Sequence, residues 1–369
     1  METTTGARTD RLERLAEKMK REGVRAFVIS SPVNMGYLYG FTEGGGERFL
    51  TMSVRDDGQV RMICPALSAN QAARCGIEDV RSWKDGEDPM VLFQRLVDDW
   101  GLASATVAID DEMPAQYLLP MQRVVPDADY RQGFPLIASL MRCKDADEIE
   151  NLYTAAHYAD EAFEDVKSQI KVGMTEWQVA MLLVRAMQDR GGLVSFCIVA
   201  TGPNGAEPHH YTDQTVIKEG DVLIMDFGCT VNGYHSDITR TVCVGKATDE
   251  AKKIYEIVHA AHMAARAAAK AGIAGQDVDR AARKVIEDAG YGEFFVHRTG
   301  HGLGMRIHEA PNMVEGNTDP LEEGNVFSDE PGIYLPGRFG VRIENILHIA
   351  DGKATSFNAE PSPTLLEVD

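Results

Sequence analysis

The segment Asp221-Val-Leu-Ile-Met-Asp226-Phe-Gly-Cys-Thr-Val-Asn232-Gly233-Tyr-His-Ser-Asp237-Ile-Thr-Arg-Thr-Val-Cys-Val244 places an Asn-Gly pair between two apolar runs. That pair is the strongest short-range signal for a tight β-hairpin, because both turn residues must take positive φ. With Asn232 and Gly233 at the turn, Val231 faces Tyr234 and the same register brings Asp226 opposite Thr239. Asp237 lies two residues from Thr239, so the two aspartates become diagonal neighbours on one face, roughly 7–8 Å apart. Holding two carboxylates together is unfavourable unless a positive charge sits between them. The hairpin is therefore either a solvent-facing strand pair or one side of a cation site.

Further acidic and imidazole groups decide between these. Thr299-Gly300-His301-Gly302-Leu303-Gly304 sets a histidine among three glycines, which leaves it unshielded and lets backbone come close. Glu330 stands before Pro331-Gly332, and Glu344 follows Arg342 at a strand alternation that puts both on one face. Two aspartates, two glutamates and one histidine form a hard, oxygen-rich set. It suits a pair of divalent ions such as Mn²⁺ and argues against a thiolate zinc site. The six cysteines are scattered without a CxxC pair, as expected of isolated buried thiols in a reducing compartment.

Outward from this region the chain reads as α/β. Asp10 to Glu22 has the pattern of an amphipathic helix and Arg25 to Ile29 that of a buried strand. Ser31 to Phe41 reads as a loop, and the glycines within Glu43 to Glu47 as a turn lacking the spacing of a phosphate loop. At Met141 the pattern changes, and Asp145 to Glu148 supplies the acidic first turn of a long helix. Two domains follow, 1–142 and 143–369. Within the second, Lys171 to Gly191 aligns with Lys270 to Gly290 through the identities Lys171/Lys270, Gly173/Gly272, Val179/Val278, Asp189/Asp288 and Gly191/Gly290. Matches this sparse arise between unrelated helices or from a duplication, which would make two αβ halves sharing one site.

With 369 residues, 44% hydrophobic and 25% charged, the chain has material for two or three cores and the balance of a soluble globular protein. A net charge of −20 repels phosphate backbones and anionic headgroups, so no nucleic acid and no membrane partner is expected. No apolar run approaches the roughly 18–20 residues of a membrane span. The N-terminal METTTGARTD carries no apolar leader, and a cytoplasmic location is expected. Asp226-Phe-Gly is the kinase triplet, yet neither HRD nor a glycine-rich loop with its lysine accompanies it. His308-Glu309-Ala310-Pro311 lacks the second histidine of HExxH, and its proline breaks a helix.

Taken in order, DFG with a second Asp at 237, TGHGLGxxxHExP from Thr299 to Pro311, EPGIY from Glu330 and RIEN from Arg342 resemble the creatinase, prolidase and methionine aminopeptidase superfamily, peptidase family M24. The resemblance covers nearly the whole chain. Its front half is similar to the amino-terminal domain of prolidases and aminopeptidases P at NMGYLYGF (Asn34 to Phe41) and Glu47-Arg48, a domain that methionine aminopeptidases lack. The resemblance implies a creatinase-like α/β domain followed by a pita-bread catalytic domain with an internal two-fold αβ duplication.

It also implies that Asp226, Asp237, His301, Glu330 and Glu344 ligate two divalent ions, Mn²⁺ foremost and Co²⁺ or Zn²⁺ otherwise, with Asp237 and Glu344 touching both. An ion-bridging hydroxide would attack the Xaa-Pro bond of a peptide with proline second. Glu330 would shuttle the proton, and His308 with His210 would stabilise the oxyanion. His209 is the alternative to His210, or a substrate contact. Arg342, Arg338 and Arg298 are candidates for the proline carboxylate. Family members are commonly homodimers.

The resemblance leaves an aminopeptidase P, a hydrolase of a non-peptide amide such as the ectoine type, and a non-catalytic binding module as alternatives. The intact ligand set separates enzyme from binding module. Asp329, beside Glu330, departs from the apolar or small residue usual there, and Arg306 between the two histidines reads as a surface arginine.

Overall fold

The structure, a computed structural model, describes residues 5–369. Residues 1–4, on which part of the N-terminal leader expectation falls, lie outside the described residues. The chain divides into two compact units, Met1–Met141 and Arg142–Asp369.

The first unit runs α1 (Thr5–Glu22), β1 (Ala26–Ile29), α2 (Pro32–Tyr39), β2 (Thr51–Arg55), β3 (Val60–Pro65), α3 (Ala69–Arg74), β4 (Asp79–Trp83), α4 (Met90–Trp100), β5 (Thr106–Ile109), α5 (Ala115–Val124), β6 (Asp129–Gln132) and α6 (Phe134–Met141). Its strands form one mixed sheet in the order β4-β3-β2-β1-β5-β6. The expected loop at Ser31 to Phe41 is instead the helix α2. Pro32 occupies its first turn, where no N–H is needed, and Gly40 closes it at φ 72°. Its cap comes from far along the chain: Asp110 Oδ2 accepts from Ser31 N (3.0 Å) and Asn34 Nδ2 (3.1 Å). No local pattern reveals that partner.

The second unit begins with α7 (Ala146–Lys167) and α8 (Glu176–Asp189), followed by β7 (Leu193–Thr201), β8 (Val222–Val231), β9 (Tyr234–His235) and β10 (Ile238–Val244). A second helix pair, α9 (Asp249–Ala268) and α10 (Gly275–Asp288), precedes β11 (Gly300–Gly302), β12 (Glu309–Met313), β13 (Val326–Asp329), β14 (Gly332–Leu335), β15 (Phe339–Arg342), β16 (Asn345–Ala350), β17 (Lys353–Ser356) and β18 (Leu366–Val368). One sheet is ordered β18-β10-β8-β7, with β9 beside β8, and another β12-β11-β13-β16-β17. Each helix pair covers one sheet. Phe163, Leu183 and Met187 pack on Leu223, Phe227 and Val242, while Ile254, Val258 and Ile286 pack on Phe327 and Leu347. Fully burying a side chain such as Phe227 stabilises by roughly 1.5–3 kcal/mol.

The helix alignment seen in the sequence is a structural two-fold. The buried positions of α8 are Glu176, Val179, Ala180, Leu183 and Met187; those of α10 are Gly275, Val278, Asp279, Ala282 and Ile286, each at the same offset. Backbone bonds repeat as well: Gly173 N donates to Ile217 O and Gly272 N to Leu321 O, while Trp177 N donates to Asp213 O and Gln276 N to Asn317 O. This is the creatinase-like domain plus pita-bread architecture that the motifs implied, with the duplication in its second unit.

The Asn-Gly hairpin forms in the expected register. Asn232 and Gly233 take φ 50° and 84°, Val231 pairs with Tyr234, and Asp226 with Thr239. The two sheets meet at a single antiparallel bridge between Thr239 and Glu344, where Glu344 N donates to Thr239 O at 3.2 Å. Asp237 and Glu344 each stand directly ahead of a strand, β10 and β16, so the duplicated halves bring their acids to one seam.

Candidate active site

A cavity of about 840 Å³ opens over that seam, lined among others by Asp226, Asp237, His301, Glu330 and Glu344. Asp237, His301 and Glu344 each offer a ligand atom within 4.8 Å of the others. Glu344 Oε2 accepts from Thr239 Oγ1 at 2.7 Å, and Glu330 Oε1 from Ser328 Oγ at 3.2 Å. His301 Nε2 lies 3.3 Å from Glu330 Oε1 and 3.6 Å from Asp237 Oδ2. Its Nδ1 sits 3.1 Å from Gly302 O, a contact that keeps the proton on Nδ1 and leaves the Nε2 lone pair facing the acids.

The electrostatics show what the cluster lacks. Burial, joined by Glu344, Asp226 and Glu330, holds Asp237 well above the usual carboxylate range; burial with Glu330 and Asp226 does the same to Glu344. Burial pushes Glu330 to about 7 and His301 down to about 3. Asp226 Oδ1 and Glu344 Oε1 are buried with no hydrogen-bond partner among the described residues. Orphaned oxygens among mutually repelling carboxylates, with a neutral imidazole beside them, fit divalent cations.

The glycines around His301 serve backbone packing. A Cβ on Gly300 would fall on Ser328 O and one on Gly302 on Ala310 O. His301 itself is only 3% exposed, so the expectation of an unshielded ring is corrected: the glycines let strands close over it. His308, just ahead of β12, meets His301 edge-to-face at 4.2 Å between ring centres. Behind it, the buried Lys144–Glu309 ion pair holds the start of β12.

Two expectations change. His209 lines the cavity, whereas His210, expected to face substrate, turns onto Glu176, with Nε2 2.8 Å from Oε2. Sequence could not separate adjacent histidines because the turn that splits their directions depends on a residue of α8. Arg342, expected at the substrate carboxylate, is 3% exposed and commits Nη2 to Asp226 Oδ2 (2.6 Å), Nε to Thr239 Oγ1 (3.0 Å) and Nη1 to Tyr334 OH (2.7 Å). It orients Asp226. Arg338 pairs with Glu250 on the exterior. Arg298 and Arg342 both line the cavity, and of the two Arg298 is the half-buried one, with Nη1 on Asn312 Oδ1 at 2.8 Å.

Sequence reasoning passed over several neighbours. Tyr334 OH, accepting from Arg342, lies 2.8 Å from His297 Nε2, and His297 Nδ1 is 2.7 Å from Arg298 O; burial drives His297 down to about 4. His235 also lines the cavity, pushed to about 4 by burial and by His308. Lone histidines outside a ligand pattern carry no local signal. Asp329 is fully buried against His262 on α9, Oδ2 to Nδ1 3.1 Å, and does not line the cavity. No helix among the described residues is long and apolar enough to cross a membrane.

With this geometry in place, comparison with known proteins is informative. Residues 150–351 match metallopeptidase family M24, and residues 11–143 the creatinase/prolidase N-terminal domain. The chain is 35% identical over 348 residues to the Xaa-Pro dipeptidase of Lactobacillus delbrueckii subsp. lactis, covering 90% of this chain and 92% of the relative. Among solved structures it is similar to a recombinant prolidase from Thermococcus sibiricus (TM-score 0.94, 34% identity, all of both chains). It is also similar to an X-Pro aminopeptidase from Thermotoga maritima (TM-score 0.85, 32% identity, 97% of this chain and 99% of the other).

Proposed function

Because the chain belongs to metallopeptidase family M24 and is a peptidase, we propose that its reaction is hydrolysis of the Xaa-Pro bond of dipeptides, carried by residues 143–369. The observation that carries this reading is the convergence on one cavity of the five-residue hard ligand set, His209, His308 and Arg298. Asp226, Asp237, His301, Glu330 and Glu344 would hold two divalent ions, Mn²⁺ first by the oxygen-rich donor set. When bound, such ions supply an activated water and polarise the scissile carbonyl.

The protein's own groups do the rest. Glu330 takes the proton of the attacking water and returns it to the leaving proline nitrogen. His308 and His209, which both line the cavity, donate to the developing oxyanion. Arg298 receives the proline carboxylate, a pairing at which a guanidinium is bidentate. Arg342 orients Asp226 by donating from Nη2 to its Oδ2. The enzyme would work as a homodimer in the cytoplasm.

Likeness to an X-Pro aminopeptidase supports a second reading, in which the cavity admits longer peptides. Hydrolysis of Ala-Pro, Ala-Pro-Ala and Ala-Ala with Mn²⁺ supplied separates the two. Rapid cleavage of Ala-Pro alone is the expected result. Cleavage of the tripeptide would move the assignment to the aminopeptidase, and inertness toward both proline peptides would overturn the proline reading in favour of a non-peptide amide.

A further inference from the structure

The duplicated halves differ at a buried acid that stands opposite a glycine. At the first position of α8 stands Glu176, fully buried; the matching residue of α10 is Gly275, where a Cβ would run into Asn312 O and Asn317 Nδ2. Both Glu176 oxygens are occupied. Oε1 accepts from Thr201 N (2.8 Å) and Asn204 Nδ2 (2.9 Å), while Oε2 meets His210 Nε2 (2.8 Å) and accepts from Asp213 N (3.2 Å). All four partners belong to the segment that leaves β7 and returns toward β8. The carboxylate therefore gathers that segment into one conformation. Three donated N–H groups leave it no free oxygen for a metal ion, although Glu176, His210 and Asp213 are ligand types.

Midway along this segment is His209, exposed, lining the cavity, and making no hydrogen bond among the described residues. Among the described residues no side-chain hydrogen bond fixes its direction, which follows the backbone. The neighbouring His210 is, with Asn204, one of two side chains of this segment bonded to Glu176 of α8, and the one adjacent to His209. The second half has a parallel device built from a different position: Asp279 of α10, fully buried, accepts from Thr299 N (2.9 Å) and Thr299 Oγ1 (2.8 Å), two residues before His301.

We propose that the Glu176–His210 pair is a positioning device that aims His209 into the cavity, so that His210 acts on turnover only through its neighbour. This rests on the reading of His209 as an oxyanion donor. A donor displaced by about 1 Å loses up to roughly 10²-fold in rate, and because the contact matters in the transition state the loss falls on kcat and not on KM.

The test is a double-mutant cycle in the Mn²⁺-loaded full-length enzyme with Ala-Pro as substrate. His210→Ala and His210→Asn, neither of which reaches Glu176, are expected to lower kcat by about 10-fold or more. His210→Gln, whose amide N–H stands where Nε2 does, is expected to stay within about 3-fold of the parent. In a His209→Ala background, His210→Ala is expected to bring no further loss. Bound Mn²⁺ and thermal midpoint should match the parent in all of them. If His209→Ala is fully active, the oxyanion reading and this inference fall together. If His209→Ala is slow but His210→Ala is not, or the two losses multiply, the coupling alone is overturned. Loss of metal or of thermal stability in His210→Ala, or failure of His210→Gln to recover kcat, would likewise overturn it in favour of a structural role.

Discussion

Asp237 carries the balance between stability and function in a single side chain. Buried beside Glu344, Asp226 and Glu330, its carboxylate is destabilised whenever it is ionised without a counter-cation. Asp237→Asn is therefore expected to abolish metal binding and activity while making the chelated protein more stable than the chelated parent at pH 8. The gain should be about 1 kcal/mol or more, roughly 2–4 °C in midpoint. Calorimetry in EDTA checks this; a lower midpoint for the variant would mean that the acids do not repel one another. His308 behaves differently because it sits at the cavity mouth outside the ligand set. His308→Ala should keep its metal by elemental analysis yet lose roughly 10²–10³-fold in kcat, as expected of an oxyanion donor; normal turnover would remove it from that role.

Among the elements, the contact of β11 with β12 sets His301. Gly302→Ala would press a methyl group onto the Ala310 carbonyl, and the strands must part to admit it. Such overpacking costs about 1–3 kcal/mol and should weaken metal affinity, measurable by competition with a chromogenic chelator. Gly316→Ala is the matched control. It has φ 89° but open space around it, so about 1 kcal/mol of backbone strain is expected with metal affinity unchanged. Equal metal affinity in both variants would show that strand closure is not what positions His301. The same logic explains α2, whose proline and glycine read locally as loop signals but act as helix start and stop once Asp110 caps the first turn.

For the whole molecule, metal removal should invert the usual dependence of stability on pH. Glu330 is raised from 4.5 to about 7, and Asp237 and Glu344 well above their ordinary values, so the native chain keeps protons that the unfolded chain releases. Stability of the chelated protein then falls as pH rises through that range. His301, His297 and His235 pull the other way, being lowered from 6.5, but only below pH 6.5, where the unfolded chain takes up protons that they refuse. The window between pH 6.5 and 8 therefore belongs to the carboxylates. A midpoint in EDTA that drops across it, and recovers on adding Mn²⁺, is the expected outcome of differential scanning calorimetry; a flat profile in EDTA would contradict the clustering of the acids.

The hairpin and its register were legible from sequence because each depends on local rules: Asn-Gly demands a turn with positive φ, and strand alternation assigns faces. The duplication was faint in identities, since a helix needs only apolar residues at matching positions and Leu183 and Ala282 serve equally. Only the tertiary structure decided which of two adjacent histidines faces the cavity, that Arg342 is committed to Asp226, Thr239 and Tyr334, and that Thr239 joins the halves. Those outcomes depend on partners far away in sequence: Glu176 for His210, Asp226 and Tyr334 for Arg342, and Glu344 for Thr239. A side chain's direction follows from the sum of its contacts, and these contacts exist only after the sheets have closed.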